Sequence, residues 1–183
     1  LPSGITEVEK RAIRDAVSAT AIRDIRLVDE AMAAVIGAGL PVLEPTASMV
    51  VDLGGGTTDV AVVSLSDIVS SLSIRQGGDA MDEAIVNHLR RYHHMLIGEN
   101  TAEQIKKTVG SAHEEFDDQS MEVRGRSLTS GSPSSLTVTS AEIREAINEV
   151  VSSILAAVRQ ALENTPPELA GDIMSSGLTL AGG

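Results

Sequence analysis

Two apolar runs, Met49-Val50-Val51 and Val60-Ala61-Val62-Val63, flank the segment Asp52-Leu53-Gly54-Gly55-Gly56-Thr57-Thr58-Asp59. β-Branched residues on both sides of a glycine turn predict two strands within 49–65, and 68–76 adds a third. This strand-turn-strand succession predicts an antiparallel edge on a mixed sheet. Elsewhere the apolar spacing becomes helical. Val8, Ala12, Ile13, Ala16 and Val17 follow a Thr6/Glu9 capping box, so a helix runs from that cap to about residue 19. A short strand is expected over 24–28. An alanine-rich helix over 30–38 follows, capped by Gly39 and ended by Pro41.

The second half repeats the helical period. Residues 79–92 form a helix with Met81, Ala84, Ile85 and Leu89 inward, and 101–109 another with Thr101 as its N-cap. The acidic stretch within 110–120 reads as a loop. Strands over 121–126 and 135–139 enclose a Ser/Gly/Pro turn at 129–133. Ser140 caps a long helix over 141–163, whose stripe is Ile143, Ile147, Val150, Ile154, Ala157, Val158 and Ala161. Pro166-Pro167 stops it. A one-turn helix over 168–173 and a strand over 177–181 complete the order.

Composition narrows the classes. The chain has 183 residues, enough for one or two domains with a proper core. No apolar run approaches the roughly 20 residues of a membrane span, and no signal-peptide pattern opens the sequence. With no cysteine, disulfides and thiolate metal sites are excluded, which fits a reducing cytosol. A net charge of −12 argues against nonspecific nucleic-acid binding, because phosphate neutralisation needs clustered Lys and Arg. With one Phe, one Tyr and no Trp, the core must be aliphatic, and a base-stacking platform is ruled out.

The glycine turn carries the chemistry. Consecutive glycines allow positive φ and close backbone approach to a ligand, and their N–H groups can converge on an anion. Thr57 and Thr58 add hydroxyl donors, and Asp52 at a strand end can hold hydrated Mg²⁺ beside phosphates. Neither the P-loop nor the dinucleotide fingerprint fits, since no Lys-Ser/Thr and no helix follows the glycines. An ordinary glycine hairpin is the plain alternative. His93-His94 invites a metal reading, but neighbouring helix residues point apart and no third ligand is spaced nearby, so a surface helix end is preferred.

Six segments in order resemble the actin-like ATPase superfamily, and closely its bacterial MreB branch. They are 2–9 (Pro-Ser-Gly-Ile-Thr-Glu-Val-Glu), 29–34 (Asp-Glu-Ala-Met-Ala-Ala), 51–59, 77–85 (Gly-Gly-Asp-Ala-Met-Asp-Glu-Ala-Ile), 97–107 (Ile-Gly-Glu-Asn-Thr-Ala-Glu-Gln-Ile-Lys-Lys) and 165–169 (Thr-Pro-Pro-Glu-Leu). The resemblance spans essentially the whole chain. It implies an α/β fold: an actin-like, ribonuclease-H-like lobe with a mixed sheet flanked by helices, plus a small α+β subdomain. Residues 1–45 would be a remnant of a first lobe, 46–78 with 141–183 the second-lobe core, and 79–140 the smaller nucleotide-side subdomain.

The same resemblance implies ATP and Mg²⁺ as cofactors. Gly54, Gly55, Gly56, Thr57 and Thr58 would form a phosphate-binding loop, with Asp52 oriented toward Mg²⁺ and the attacking water. Glu30 would position that water; its plain alternative is an acidic first-turn residue favoured by the helix dipole. Ala31 stands where the family usually has proline. Gly77 and Gly78 would form the turn beneath the nucleotide, and Glu103, Lys106 and Lys107 would contact ribose and adenine. Gly182 and Gly183 would begin the adenine-side glycine turn. The implied parent is a cytoplasmic, filament-forming ATPase at the inner face of the membrane. Its partners would be its own copies and the membrane proteins of cell-shape control and wall synthesis. A chaperone-type ATPase, a superfamily kinase and a truncated non-enzymatic actin-like module remain alternatives. The chain resembles a fragment, lacking the first phosphate loop and most of the first lobe.

Overall fold

The computed structural model describes every residue except 2–4, 21 and 23. The Pro2-Ser3-Gly4 start of the first matching segment therefore lies outside the described residues. The elements are α1 (Glu7–Ser18), α2 (Glu30–Gly37), β1 (Ser48–Leu53), β2 (Thr58–Ser64), β3 (Asp67–Ile74), α3 (Gly78–Tyr92), β4 (Met95–Leu96), α4 (Glu99–Val109), β5 (Ser120–Ser127), β6 (Pro133–Thr139), α5 (Ser140–Glu163), α6 (Pro167–Ser176) and β7 (Leu178–Gly182). Two compact units divide the chain, residues 1–75 with 156–183, and residues 76–155. Among the described residues, no helix is long and apolar enough to cross a membrane.

The first unit is built on a four-stranded sheet in the order β3-β2-β1-β7. β1, β2 and β3 pair antiparallel and β1 pairs with β7 in parallel, so the sheet is mixed as the strand pattern predicts. β2 is buried along its entire length, which its run Val60-Ala61-Val62-Val63 demands. Because strand side chains alternate between faces, the apolar run serves both. On one face Val50, Ala61 and Val63 cluster with Ala31 and Val35 of α2. Met49, Val51, Val60 and Val62 lie on the other and are equally buried. At the rim, Asp172 of α6 accepts a 3.0 Å hydrogen bond from the Ala47 N–H, anchoring the lead into β1.

In the second unit the sheet β4-β5-β6 is antiparallel. Its core gathers Ile85 and Leu89 of α3, Ala102, Ile105 and Val109 of α4, Val123 and Val138 of the sheet, and Ile143 and Ile147 of α5. No aromatic residue takes part. Phe116 and Tyr92 are both about two-thirds exposed.

Several expectations need correction. Residues 24–28 form no strand; a strand needs a hydrogen-bonded ladder, and among the described residues the Val28 carbonyl alone takes a bond across the chain, from the Leu1 amino group. The helix starting at Glu99 is capped by Gly98, which places Thr101 inside its first turn rather than at the cap. α6 runs for ten residues rather than one turn, because Pro167 at its first position tolerates the missing N–H. β4 is a two-residue strand that no periodicity could announce. α1 forms with its complete capping box yet buries no residue, and Val8 is 78% exposed. Local cap chemistry is sufficient to start this helix, whereas burial needs a packing partner.

Candidate functional site

β1 and β2 remain paired up to Leu53 and Thr58, leaving a four-residue loop, 54–57. The Gly54 N–H closes it with a 2.9 Å hydrogen bond to the Thr57 carbonyl. Gly55 and Gly56 stand exposed at the tip, and their N–H groups meet no acceptor among the described residues. Gly54 and Gly56 do not use the left-handed conformation that glycine permits. A Cβ on Gly54 would sit 3.3 Å from the Thr57 carbonyl oxygen. A Cβ on Gly56 would meet no protein atom within 4 Å, so the loop leaves an open approach to its amides. Thr57 belongs to this loop, whereas Thr58 opens β2 and is fully buried.

Asp52 and Asp59 are directly opposed in the β1–β2 register, as are their neighbours Val51 and Val60. Alternation carries both carboxylates to the face where Val50 and Ala61 meet α2. Asp59 is 2% exposed, and its Oδ1 has no hydrogen-bond partner among the described residues. Opposed like charges on adjacent strands disfavour the pair by themselves. A buried carboxylate oxygen without a donor adds a desolvation penalty. Both penalties fall if a cation or donor approaches this face. Asp52 and Asp59 are therefore a donor set of the hard oxygen type that Mg²⁺ prefers. Asp59 lies within the glycine motif, but its place opposite Asp52 follows only from the hairpin register.

Glu30 is the first residue of α2, the helix on this same face. Asp29 caps that helix by accepting a 3.1 Å bond from the Ala31 N–H. Ala31 is fully buried among Val50, Ala61 and Val63, so helix entry is secure without proline. The geometry thus places Glu30, Asp52, Asp59 and the glycine loop in one unit.

Gly182 is also in this unit, paired with Leu53 at the base of the loop. Its φ is +98°, and a Cβ there would sit 2.2 Å from the Leu53 carbonyl oxygen. Gly183 follows at φ +138°. Gly182→Ala is expected to lower stability by about 1–3 kcal/mol, with faster amide exchange at Leu53 and Gly54. Wild-type exchange at those two amides would refute this close-approach role.

The second unit holds the remaining candidates. Gly77 is the N-cap of α3, in extended conformation, with no side chain to cover the first-turn N–H groups. Lys106 donates to the Gly78 carbonyl at 3.0 Å and to Asp82 Oδ2 at 2.8 Å, tying α4 to the base of α3. Asp82 is a partner that sequence reasoning missed, because a pair 24 residues apart has no local signature. Glu103 and Lys107 form a separate pair one turn apart on α4 at 2.7 Å. The Lys107 ammonium, through hydrogen bond and charge, holds the Glu103 carboxyl below the usual carboxylate range. Gly77, Gly78 and Lys106 are thus brought together, while Glu103 engages Lys107.

The sequence model of the MreB/Mbl protein family matches residues 1–183. The chain is 53% identical over 183 residues to cell shape-determining protein MreB of Escherichia coli K12, covering all of this chain and 53% of that protein. It is 44% identical over 182 residues to cell shape-determining protein Mbl of Bacillus subtilis 168, covering 55% of it. It thus spans about half the length of these relatives. Crystal structures of Spiroplasma citri MreB5 bound to AMPPNP and to ADP superpose with a TM-score of 0.95 at 40% identity, over all of this chain and 55% of theirs. The strand order, the helix-backed glycine hairpin and the full-length sequence match agree: this chain belongs to the MreB/Mbl family and has the actin-like fold.

Proposed function

We propose that this chain is part of an ATP-binding, filament-forming protein that determines cell shape. The observation that carries the reading is the glycine loop. Its two tip glycines are exposed, and their amides have no acceptor among the described residues, in a chain that superposes on an MreB5 bound to AMPPNP. Backbone N–H groups in such a loop bind phosphate oxygens with no side chain in the way. Thr57 adds a hydroxyl beside them, and Thr58 supports the loop from within β2. Asp52, with Asp59 opposite, would hold Mg²⁺, and the cation supplies charge neutralisation along the polyphosphate when bound.

Glu30 would orient the water that attacks the terminal phosphate, from the first turn of α2, the helix packed on the sheet face that carries these carboxylates. Gly77 and Gly78 would present the uncapped α3 N-terminus to an anionic or polar part of the nucleotide. Glu103, Lys106 and Lys107 would contribute to ribose and base contacts, and Gly182 and Gly183 to the turn on the base side. Self-association into filaments, a position at the inner membrane face and contact with membrane proteins of wall synthesis belong to the same proposal.

The decisive test is Gly56→Ala in a protein spanning the full length of the relatives. Because the added Cβ meets no protein atom and the backbone is not left-handed, thermal stability should stay level or rise by about 0.4–1 kcal/mol. ATP affinity, followed with a fluorescent analogue, should fall about tenfold or more as the methyl enters the phosphate path. Undiminished affinity would refute the loop as the phosphate grip.

A further inference from the structure

Two of the chain's four histidines, His88 and His93, converge on one glutamate in the second unit, on residues that the nucleotide reading does not use. His88 lies on α3 and His93 is its C-cap residue, while Glu142 sits in the first turn of α5. Both imidazoles present Nε2 to the same carboxylate oxygen, Glu142 Oε1, at 3.0 Å and 2.5 Å. The three ligand atoms all lie within 4.8 Å of one another. His88 and Glu142 are largely shielded, with side chains 13% and 22% exposed, and His93 is 34% exposed. Glu145 and Tyr92 line the recess that opens beside His88 and Glu142, which gives an ion an entry path. Tyr92 also packs on the His88 ring, with centroids 4.7 Å apart.

We propose that His88, His93 and Glu142 form a binding site for a zinc-class divalent cation. Zinc takes imidazole nitrogen and carboxylate oxygen at about 2.0–2.2 Å, and three protein ligands leave its fourth position to water or a further side chain. Glu145, one turn from Glu142 and on the same recess, can fill that position. Ligand atoms around a tetrahedral zinc stand about 3.3–3.6 Å apart for those bond lengths, so small side-chain rotations accommodate the ion. Coordination through Nε2 leaves each Nδ1 free for an orienting second partner. Two imidazoles favour Zn²⁺, Ni²⁺ or Cu²⁺ over Mg²⁺ and Ca²⁺, which prefer oxygen. The site is thus chemically separate from any Mg²⁺ held with a nucleotide. A bound ion would join the end of α3 to the start of α5.

The site has no signature in sequence spacing, because its members are five and 49 residues apart. His94, which beside His93 gives the sequence its metal-like pair, is not among the three.

The test is titration of the metal-free 183-residue chain with Zn²⁺ against a chromophoric chelator, in the presence of excess Mg²⁺. One equivalent should bind, Mg²⁺ should not displace it, and the melting temperature should rise. His88→Ala, His93→Ala and Glu142→Gln should each weaken binding by at least about tenfold, while His94→Ala should not. In the unsubstituted chain, Zn²⁺ should shift the ring resonances of His88 and His93 and leave those of His94 and His113 in place. This measurement stands even if a variant folds poorly. Absence of binding, or Zn²⁺ shifts confined to His94 and His113, overturns the proposal and leaves Glu142 as a hydrogen-bonded tie between two helices.

Discussion

Leu89→Ala should remove about 2–5 kcal/mol from the stability of residues 76–155. Leu89 is fully buried where α3 meets α4, the sheet and α5, among Ile85, Ile105, Val109, Val123 and Ile143. Removing three carbons forfeits their transfer free energy and leaves a cavity that the surroundings must fill. Here they are poorly equipped to do so. The fully buried neighbours are mostly short branched aliphatics held in rotamer wells, no aromatic ring is among them, and the flexible Met81 and Met121 stand at the partly buried margin. Against a total stability of about 5–15 kcal/mol for a typical domain, the loss is severe. Urea unfolding of the wild type and variant, with amide exchange to localise the change to 76–155, measures it directly. Leu89→Met, which conserves volume, should lose less than about 1.5 kcal/mol. A Leu89→Ala loss below that of the methionine variant would mean that this core collapses freely, and the packing account would fail.

Glu30→Ala is the corresponding prediction for chemistry. In a protein spanning the relatives' length, ATP hydrolysis should fall by about 10²-fold or more, the scale of a lost proton-handling or water-orienting group. Nucleotide binding should survive, because the amides proposed to grip the phosphates lie in the 54–57 loop rather than on α2. Folding should survive as well. Alanine is the stronger helix former, and Asp29 keeps the cap on the Ala31 N–H. Single-turnover phosphate release and a nucleotide affinity measured on the same sample separate these outcomes. Hydrolysis at the wild-type rate would return Glu30 to the simpler role of an acidic residue at a helix N-terminus.

The legible parts of the chain were those whose cause is local. The Thr6–Glu9 box is completed by residues three apart and forms as written. The β1–β2 hairpin follows from two apolar runs around glycines, and the α5 stripe from one period sustained over 24 residues. Where local chemistry is permissive, sequence expectation and structure diverge. Residues 24–28 are apolar enough for a strand but lack a ladder, and Thr101 can cap a helix that instead begins at Glu99. The candidate site divides along the same line. The glycine loop and Asp52 were visible as residues, whereas the unsatisfied oxygen of Asp59 depends on register and burial.

By itself, the sequence determined the longer helices, the mixed sheet and the hairpin with its glycine loop, because cap chemistry, apolar period and glycine act over a few residues. Tertiary structure alone decided which groups share a place. It set Asp59 against Asp52, spent Lys106 on Gly78 and Asp82, and drew His88, His93 and Glu142 to a single oxygen. The Lys106 and histidine encounters come from packing elements distant in the chain, and the Asp52–Asp59 pair from the register and burial of the hairpin, none of which a spacing along a one-dimensional sequence encodes.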